Sequence, residues 1–173
     1  MAQNYQYYVE GETEEKIIQV LKTDFQVIIP GKVKKFNVVE QLFSPSHLMP
    51  LKRGTAVILV FDTDTDNSCI LQQNIDFLVN STAIKEIICI PQVRNLEEEL
   101  IRSCNIRNIH ELLSSKSTSN RDFKKDVCKC NGLSSALIKH GFDIAKFWAS
   151  LPTGNFTRIP NDSKKIKQKS PQK

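Results

Sequence analysis

The chain has 173 residues, 40% of them hydrophobic and 25% charged, with a mean hydropathy of −0.31. That suits one core-bearing domain with an appendage, and no run approaches the roughly 20 apolar residues of a membrane helix. The net charge of +5 is concentrated in a tail holding Lys164, Lys165, Lys167, Lys169 and Lys173, so charge alone points only weakly to nucleic acid.

Met1-Ala2-Gln3-Asn4 has no basic region ahead of an apolar one, so no secretory leader is expected. Five cysteines, an odd number, with Cys89 inside a predicted strand, argue against a disulfide framework and for a reducing compartment. The expected location is cytoplasmic, with no membrane association.

Tyr5–Val9 is aromatic and β-branched and predicts a first strand. Residues 12–22 follow as a helix, with Ile17, Ile18 and Leu21 on one face, acids in the first turn and Lys22 in the last. Phe25–Ile29 predicts a second strand, stopped by Pro30-Gly31. Residues 36–43 predict a short helix and 44–54 a proline-bearing loop. The unbroken apolar run Ala56–Phe61 predicts a central strand covered on both faces. Residues 69–79 predict a helix, 84–90 a fourth strand ended by Pro91, and 96–103 a helix containing Glu97, Glu98 and Glu99.

This alternation predicts an α/β fold with a mostly parallel four-stranded sheet flanked by helices over residues 1–103. Short helices over 109–113, 121–129, 133–139 and 144–149 predict a helical appendage over 104–150, jointed by the Ser-rich stretch 114–120. Residues 151–173 read as a basic, flexible tail.

Two acidic clusters carry the chemistry. Val9-Glu10-Gly11-Glu12-Thr13-Glu14 and Phe61-Asp62-Thr63-Asp64-Thr65-Asp66 each follow a predicted strand. The crevice of such sheets lies beyond the carboxyl ends of the strands. Carboxylates brought together there repel one another, and a hard divalent cation is the simplest group to hold them. For Glu10 and Asp62 to meet, the first and third predicted strands must be neighbours. Gly11 allows a sharp turn or the close approach of a phosphate, and Glu14 lies one helical turn after Glu10.

In this order, the two motifs resemble the Toprim domain of topoisomerases, primases, small ribonucleases and OLD-family nucleases. The second glutamate, Glu14, makes the chain most similar to the OLD-like, phage-defence members. The resemblance spans roughly residues 5–103. It implies a Rossmann-like fold and a Mg²⁺- or Mn²⁺-dependent nuclease acting on DNA or RNA. Glu10 would be the acid/base or a metal ligand, and Asp62 and Asp64 would bind the metal. OLD-like members often use two metals, which implicates Glu14 and a later acid, Glu97 or Glu98. Asp66 suits an extended Asp-x-Asp-x-Asp form or is a solvated turn residue. OLD proteins carry an ATPase ahead of this domain, and none is visible here, which implies a stand-alone nuclease or the effector of a separate ATPase.

Other readings compete. Acids at strand ends also serve as turn formers and helix N-terminal charges. Phe61-Asp62-Thr63-Asp64 is similar to the nucleophile motif of haloacid-dehalogenase-like phosphatases, but sits on the third predicted strand rather than the first. A non-catalytic Toprim-like binding or scaffold module is a further alternative. Lys16, Arg94, Lys124 and Lys125 are candidate phosphate ligands, and Arg121 belongs to the same basic cluster. Cys104, His110, Cys128 and Cys130 lack a standard zinc spacing, and His47 and His140 read as surface or capping residues.

Overall fold

The computed structural model describes residues 3–113 and 119–168. Four parallel strands form one sheet in the order β2-β1-β3-β4. They are β1 (Tyr5–Val9), β2 (Lys32–Lys35), β3 (Thr55–Asp62) and β4 (Ile84–Gln92). Helices α1 (Glu12–Gln19), α2 (Pro45–Leu48), α3 (Cys69–Val79), α4 (Leu96–Ser103), α5 (Asn120–Lys129) and α6 (Leu133–Lys139) complete the fold. The α/β arrangement read from the alternation is therefore present.

The two faces of β3 sort its side chains. Ala56, Ile58 and Val60 enter a core with Ile17 and Ile18 of α1, Leu96 and Leu100 of α4, and Phe123 and Val127 of α5. Val57, Leu59 and Phe61 enter another with Leu71 and Leu78 of α3. This two-sided burial explains the unbroken apolar run, because no position on β3 faces water.

The second strand differs from expectation. Phe25–Ile29 lies outside the sheet. Gln26 adopts φ 54, a left-handed conformation that interrupts an extended run. Val27 and Ile28 still fill the core. The edge place goes to Lys-Val-Lys-Lys, paired from Gln6↔Lys32 to Val9↔Lys35. A lysine-rich edge strand resists pairing with other chains. Before it, α1 runs into a wider turn over Val20–Asp24, where Phe25 N–H donates to Val20 O at 3.0 Å.

Pro91 does not end β4. The strand continues to Gln92, with Phe61↔Pro91 and Asp62↔Gln92 in register. An edge strand tolerates proline, whose missing N–H costs no ladder bond on the open side. Residues 36–43 form turns rather than a helix. Residues 109–113 contain only the turn Ile109–Glu111, and residues 144–149 are turns.

The described residues of 104–150 do not form a core of their own. Phe123, Val127, Leu133, Leu137, Phe147 and Trp148 join the cluster beneath α1. Residues 151–168 also pack closely: Phe156, Ile159 and Ile166 are buried. Phe156 stacks on Phe61 at 6.1 Å, and Ile28 pairs with Lys167 in an antiparallel bridge. These apolar anchors among the lysines hold a segment whose composition suggests a loose tail. The rest of that tail, 169–173, and most of the Ser-rich joint, 114–118, lie outside the described residues.

Candidate functional site

β1 and β3 are direct neighbours, with Tyr8 opposite Leu59. Continuing that register places Glu10 level with Phe61, one residue before Asp62, and adjacent strands lie about 4.8 Å apart. Both acids thus leave the sheet at the same carboxyl-terminal edge. Asp62 follows the alternation of Ile58 and Val60, so it projects to the face that carries α1, α4 and α5.

Glu14, Asp62 and Glu97 are each only 5% exposed. Burial pushes the Asp62 carboxyl up to about 9, helped by the charges of Glu10, Glu14, Asp64 and Glu97. Burial, and then Glu14, push Glu10 up to about 7, while Lys124 pulls it back. Glu14 is raised by burial, against hydrogen bonds from its own backbone and that of Gly11, and against Lys124. The charges of Glu10, Glu14, Asp64 and Glu97 thus all act on the buried Asp62, and Asp64 itself lies exposed at the mouth of the crevice. Lys124 is the cation they share. Burial would lower its ammonium, but Glu97, Glu14, Asp62 and Glu10 outweigh that and raise it. Its Nζ lies 3.7 Å from Glu97 Oε1.

The remaining predicted site residues divide clearly. Glu98 turns to Arg102 at 3.9 Å, so Glu97 is the α4 acid that faces the crevice. Asp66 is exposed, and its carbonyl accepts from Asn155 Nδ2, as befits a turn residue. Lys125 pairs with Asp122 at 3.6 Å. Lys16 is half-buried on α1 and Arg94 is exposed; neither is among the charges acting on Glu10, Glu14 or Asp62.

Gly11 is the N-cap of α1, at φ −147 and ψ −169, an extended conformation open to any residue. What a side chain there would meet is Glu14 Oε2, 3.1 Å from its Cβ. Glu14, three residues past the cap, turns its carboxylate back towards Gly11. Glycine thus leaves room for that carboxylate.

Two residues of the crevice escape sequence reasoning. Thr63, between the two aspartates, staples the turn to β4. Its N–H donates to Gln92 O at 3.1 Å and Arg94 O at 2.9 Å. Its Oγ1 donates to Gln92 O at 3.0 Å and accepts from Arg94 N–H at 3.0 Å. Arg94 meets this staple at φ 69. The second is Gln92 itself, 0% exposed beside Asp62. Asp62 Oδ1, Glu97 Oε1 and both amide atoms of Gln92 are buried without a hydrogen-bond partner. Buried polar atoms are rarely left so.

The donors are all oxygen, which suits a hard cation rather than zinc. Among the described residues, no three His, Cys, Asp or Glu side chains stand close enough to close on a single metal ion. An ion fully caged by protein does not fit this arrangement. An ion of the Mg²⁺ type does, because it takes one or two carboxylates and completes its shell with waters and substrate phosphates.

The other candidates have structural roles. All five cysteines are free thiols, and burial pushes Cys89 up to about 12 and Cys104 up to about 11. His47 Nδ1 takes part in the capping box of α2 with Ser44. His140 ends α6 ahead of Gly141 at φ 64. Among the described residues, no helix is long and apolar enough to cross a membrane. Comparison with protein-family models, with curated proteins and with solved structures finds no match.

Proposed function

We propose that the protein is a divalent-metal-dependent nuclease of Toprim type that hydrolyses phosphodiesters of DNA or RNA. One observation carries this reading: β1 and β3 are adjacent, so Glu10 and Asp62 leave the sheet at one edge, where the charges of Glu10, Glu14, Asp64 and Glu97 act on Asp62 beside Lys124. Asp62 and Asp64 would hold Mg²⁺ or Mn²⁺, with Glu14 and Glu97 in reach of the same crevice. The ion would supply Lewis acidity to the phosphate and acidify a water.

The chain's own groups supply the rest. Burial and the charge of Glu14 push Glu10 up to about 7, which suits a group that takes a proton from the attacking water or gives one to the leaving oxygen. Lys124 offers a positive charge where negative charge builds on the phosphate. The resemblance extends this to nucleic-acid processing or phage defence in the cytoplasm, alone or beside a separate ATPase. The test is incubation with DNA, RNA and tRNA panels with and without Mn²⁺. Cleavage is expected with metal and lost in Glu10→Gln and Asp62→Asn, both still folded. Full cleavage by both variants would remove the reading. A wild-type protein indifferent to Mg²⁺ in calorimetric titration would favour a second reading, a non-catalytic binding module.

A further inference from the structure

Gln92 is the exception among the buried amides of this fold. Asn74 is 1% exposed and fully satisfied: its Oδ1 accepts from Phe43 N–H at 2.7 Å, and its Nδ2 donates to Val38 O at 2.8 Å and Gln41 O at 2.7 Å. Gln6 donates from Nε2 to Tyr7 O at 2.9 Å. Gln92, with no exposure at all, leaves both Nε2 and Oε1 without a partner. A buried polar atom without a partner destabilises the fold, so a purely structural glutamine here is a poor use of a core position.

Its location is specific. Gln92 is the last residue of β4 and the register partner of Asp62, the last residue of β3. Partners on parallel strands project to the same face. Gln92 follows Ile88 and Ile90, which lie in the core beneath α1 and α4, as Asp62 follows Ile58 and Val60. Asp62 Oδ1 is itself unpartnered, so the two side chains stand together without bonding each other. The backbone of Gln92 is fixed by Thr63, which rigidly sets the amide beside the aspartate turn.

We propose that Gln92 is a positioning residue of the acidic crevice, its carboxamide orienting the Asp62 carboxylate and a hydrating water when the crevice takes a divalent cation. The amide N–H₂ donates to the ionised Asp62, and Oε1 accepts from the water. This inference rests on the metal-binding reading above and adds a neutral group to the acids. Partners that orient a metal ligand in this way are worth roughly 10–100-fold in metal affinity.

The test is Gln92→Leu, close in volume and free of polar atoms, compared with the wild-type full chain. Two quantities are read: the thermal midpoint in EDTA, and the Mn²⁺ dissociation constant by calorimetry. The expected result is a midpoint equal to or above wild type, because two unsatisfied buried atoms are gone, with Mn²⁺ binding weakened about 10–100-fold. A lowered midpoint in EDTA would show that the amide is a structural partner in the metal-free fold and would overturn the proposal. Unchanged Mn²⁺ affinity would overturn it as well. Failure of the wild-type protein to bind Mn²⁺ would remove the metal reading, and this inference with it. Wild-type binding with an indifferent variant would remove this inference alone.

Discussion

Replacing Asp62 by asparagine is expected to stabilise the metal-free protein, and increasingly so as pH rises. Asp62 is 5% exposed, and burial with four acidic neighbours pushes its carboxyl from 3.8 up to about 9. A carboxyl raised on folding holds its proton more tightly in the native state. Its stability contribution is then complete below the unfolded value and lost as pH climbs towards about 9. At pH 7 the unfolded chain gains by ionising while the fold must keep the group protonated, at a cost of up to about 4 kcal/mol. Structural relaxation and water entry lower this, so about 2–4 kcal/mol is expected. Asparagine keeps the shape and cannot ionise. For a chain of this size 1 kcal/mol moves the thermal midpoint by about 2–4 °C, so Asp62→Asn should melt on the order of 10 °C higher at pH 7 and close to wild type at pH 4. The assay is thermal unfolding followed by circular dichroism in EDTA, from pH 4 to pH 8.5. Millimolar Mg²⁺ should then raise the wild type and leave the variant unmoved. A midpoint difference that stays flat across this range, or a variant that melts lower at pH 7, would refute the claim that Asp62 is buried among acids at the end of β3.

Other substitutions probe the supports of the site. Thr63→Val deletes two hydrogen bonds that tie the aspartate turn to β4; it should cost about 1–3 kcal/mol in urea unfolding and weaken Mn²⁺ binding, and an unchanged urea midpoint would count against the staple. Glu99 is fully buried, accepting from Val93 N–H at 2.9 Å and Trp148 N–H at 2.9 Å and pairing with Arg102 at 2.7 Å. Glu99→Ala should cost about 3–5 kcal/mol and shift the fluorescence of Trp148 to the red. Lys124→Met should reduce cleavage about 10²–10³-fold at an unchanged far-UV spectrum; activity within a factor of a few of wild type would exclude Lys124 from the reaction. With Cys89 and Cys104 buried and raised to about 12 and about 11, a thiol reagent at pH 8 should label exposed Cys69 rapidly and reach those two only after denaturant is added.

The parts of the fold that can be read from the chain are those where one periodicity decides the outcome. β1, α3 and α4 begin and end where their apolar patterns do, and the buried run of β3 leaves no other reading. β2 was hidden because an edge strand needs little burial: Val33 is its lone apolar residue, and three lysines face water. The more hydrophobic Phe25–Ile29 looked the better strand, yet its apolar content serves the core from a left-handed turn at Gln26. Gln92 was hidden by Pro91. A proline ends most strands, but here it lies on an edge, and the two residues gained bring an amide level with Asp62. Among the acids, motif spacing finds Glu10, Asp62 and Asp64 but cannot separate Glu97 from Glu98. That choice depends on which side of α4 meets Lys124 and which meets Arg102.

The cost structure of the crevice bears on what it is for. An acidic turn former or helix cap keeps its charge in water, where it stabilises by a few tenths of a kcal/mol. Asp66 and Glu98 fit that description: one is exposed in a turn and the other is paired on a half-exposed helix face. Asp62, Glu14 and Glu97 do not, because each is nearly excluded from solvent, where an unpaired carboxylate costs several kcal/mol. One lysine, itself 47% exposed, cannot neutralise them all. A fold with only structural demands would replace Asp62 and Gln92 by a matched pair of apolar residues and gain stability. The chain instead places acids and an unpartnered amide at the carboxyl ends of three adjacent strands, an arrangement that costs stability. Combining Asp62→Asn with Gln92→Leu should therefore give a more stable metal-free protein than either change alone. The two residues are register partners on adjacent strands, so the gains should fall short of additive. A double variant less stable than both singles would show that the crevice is held together by contacts among these groups, and the binding argument would fail.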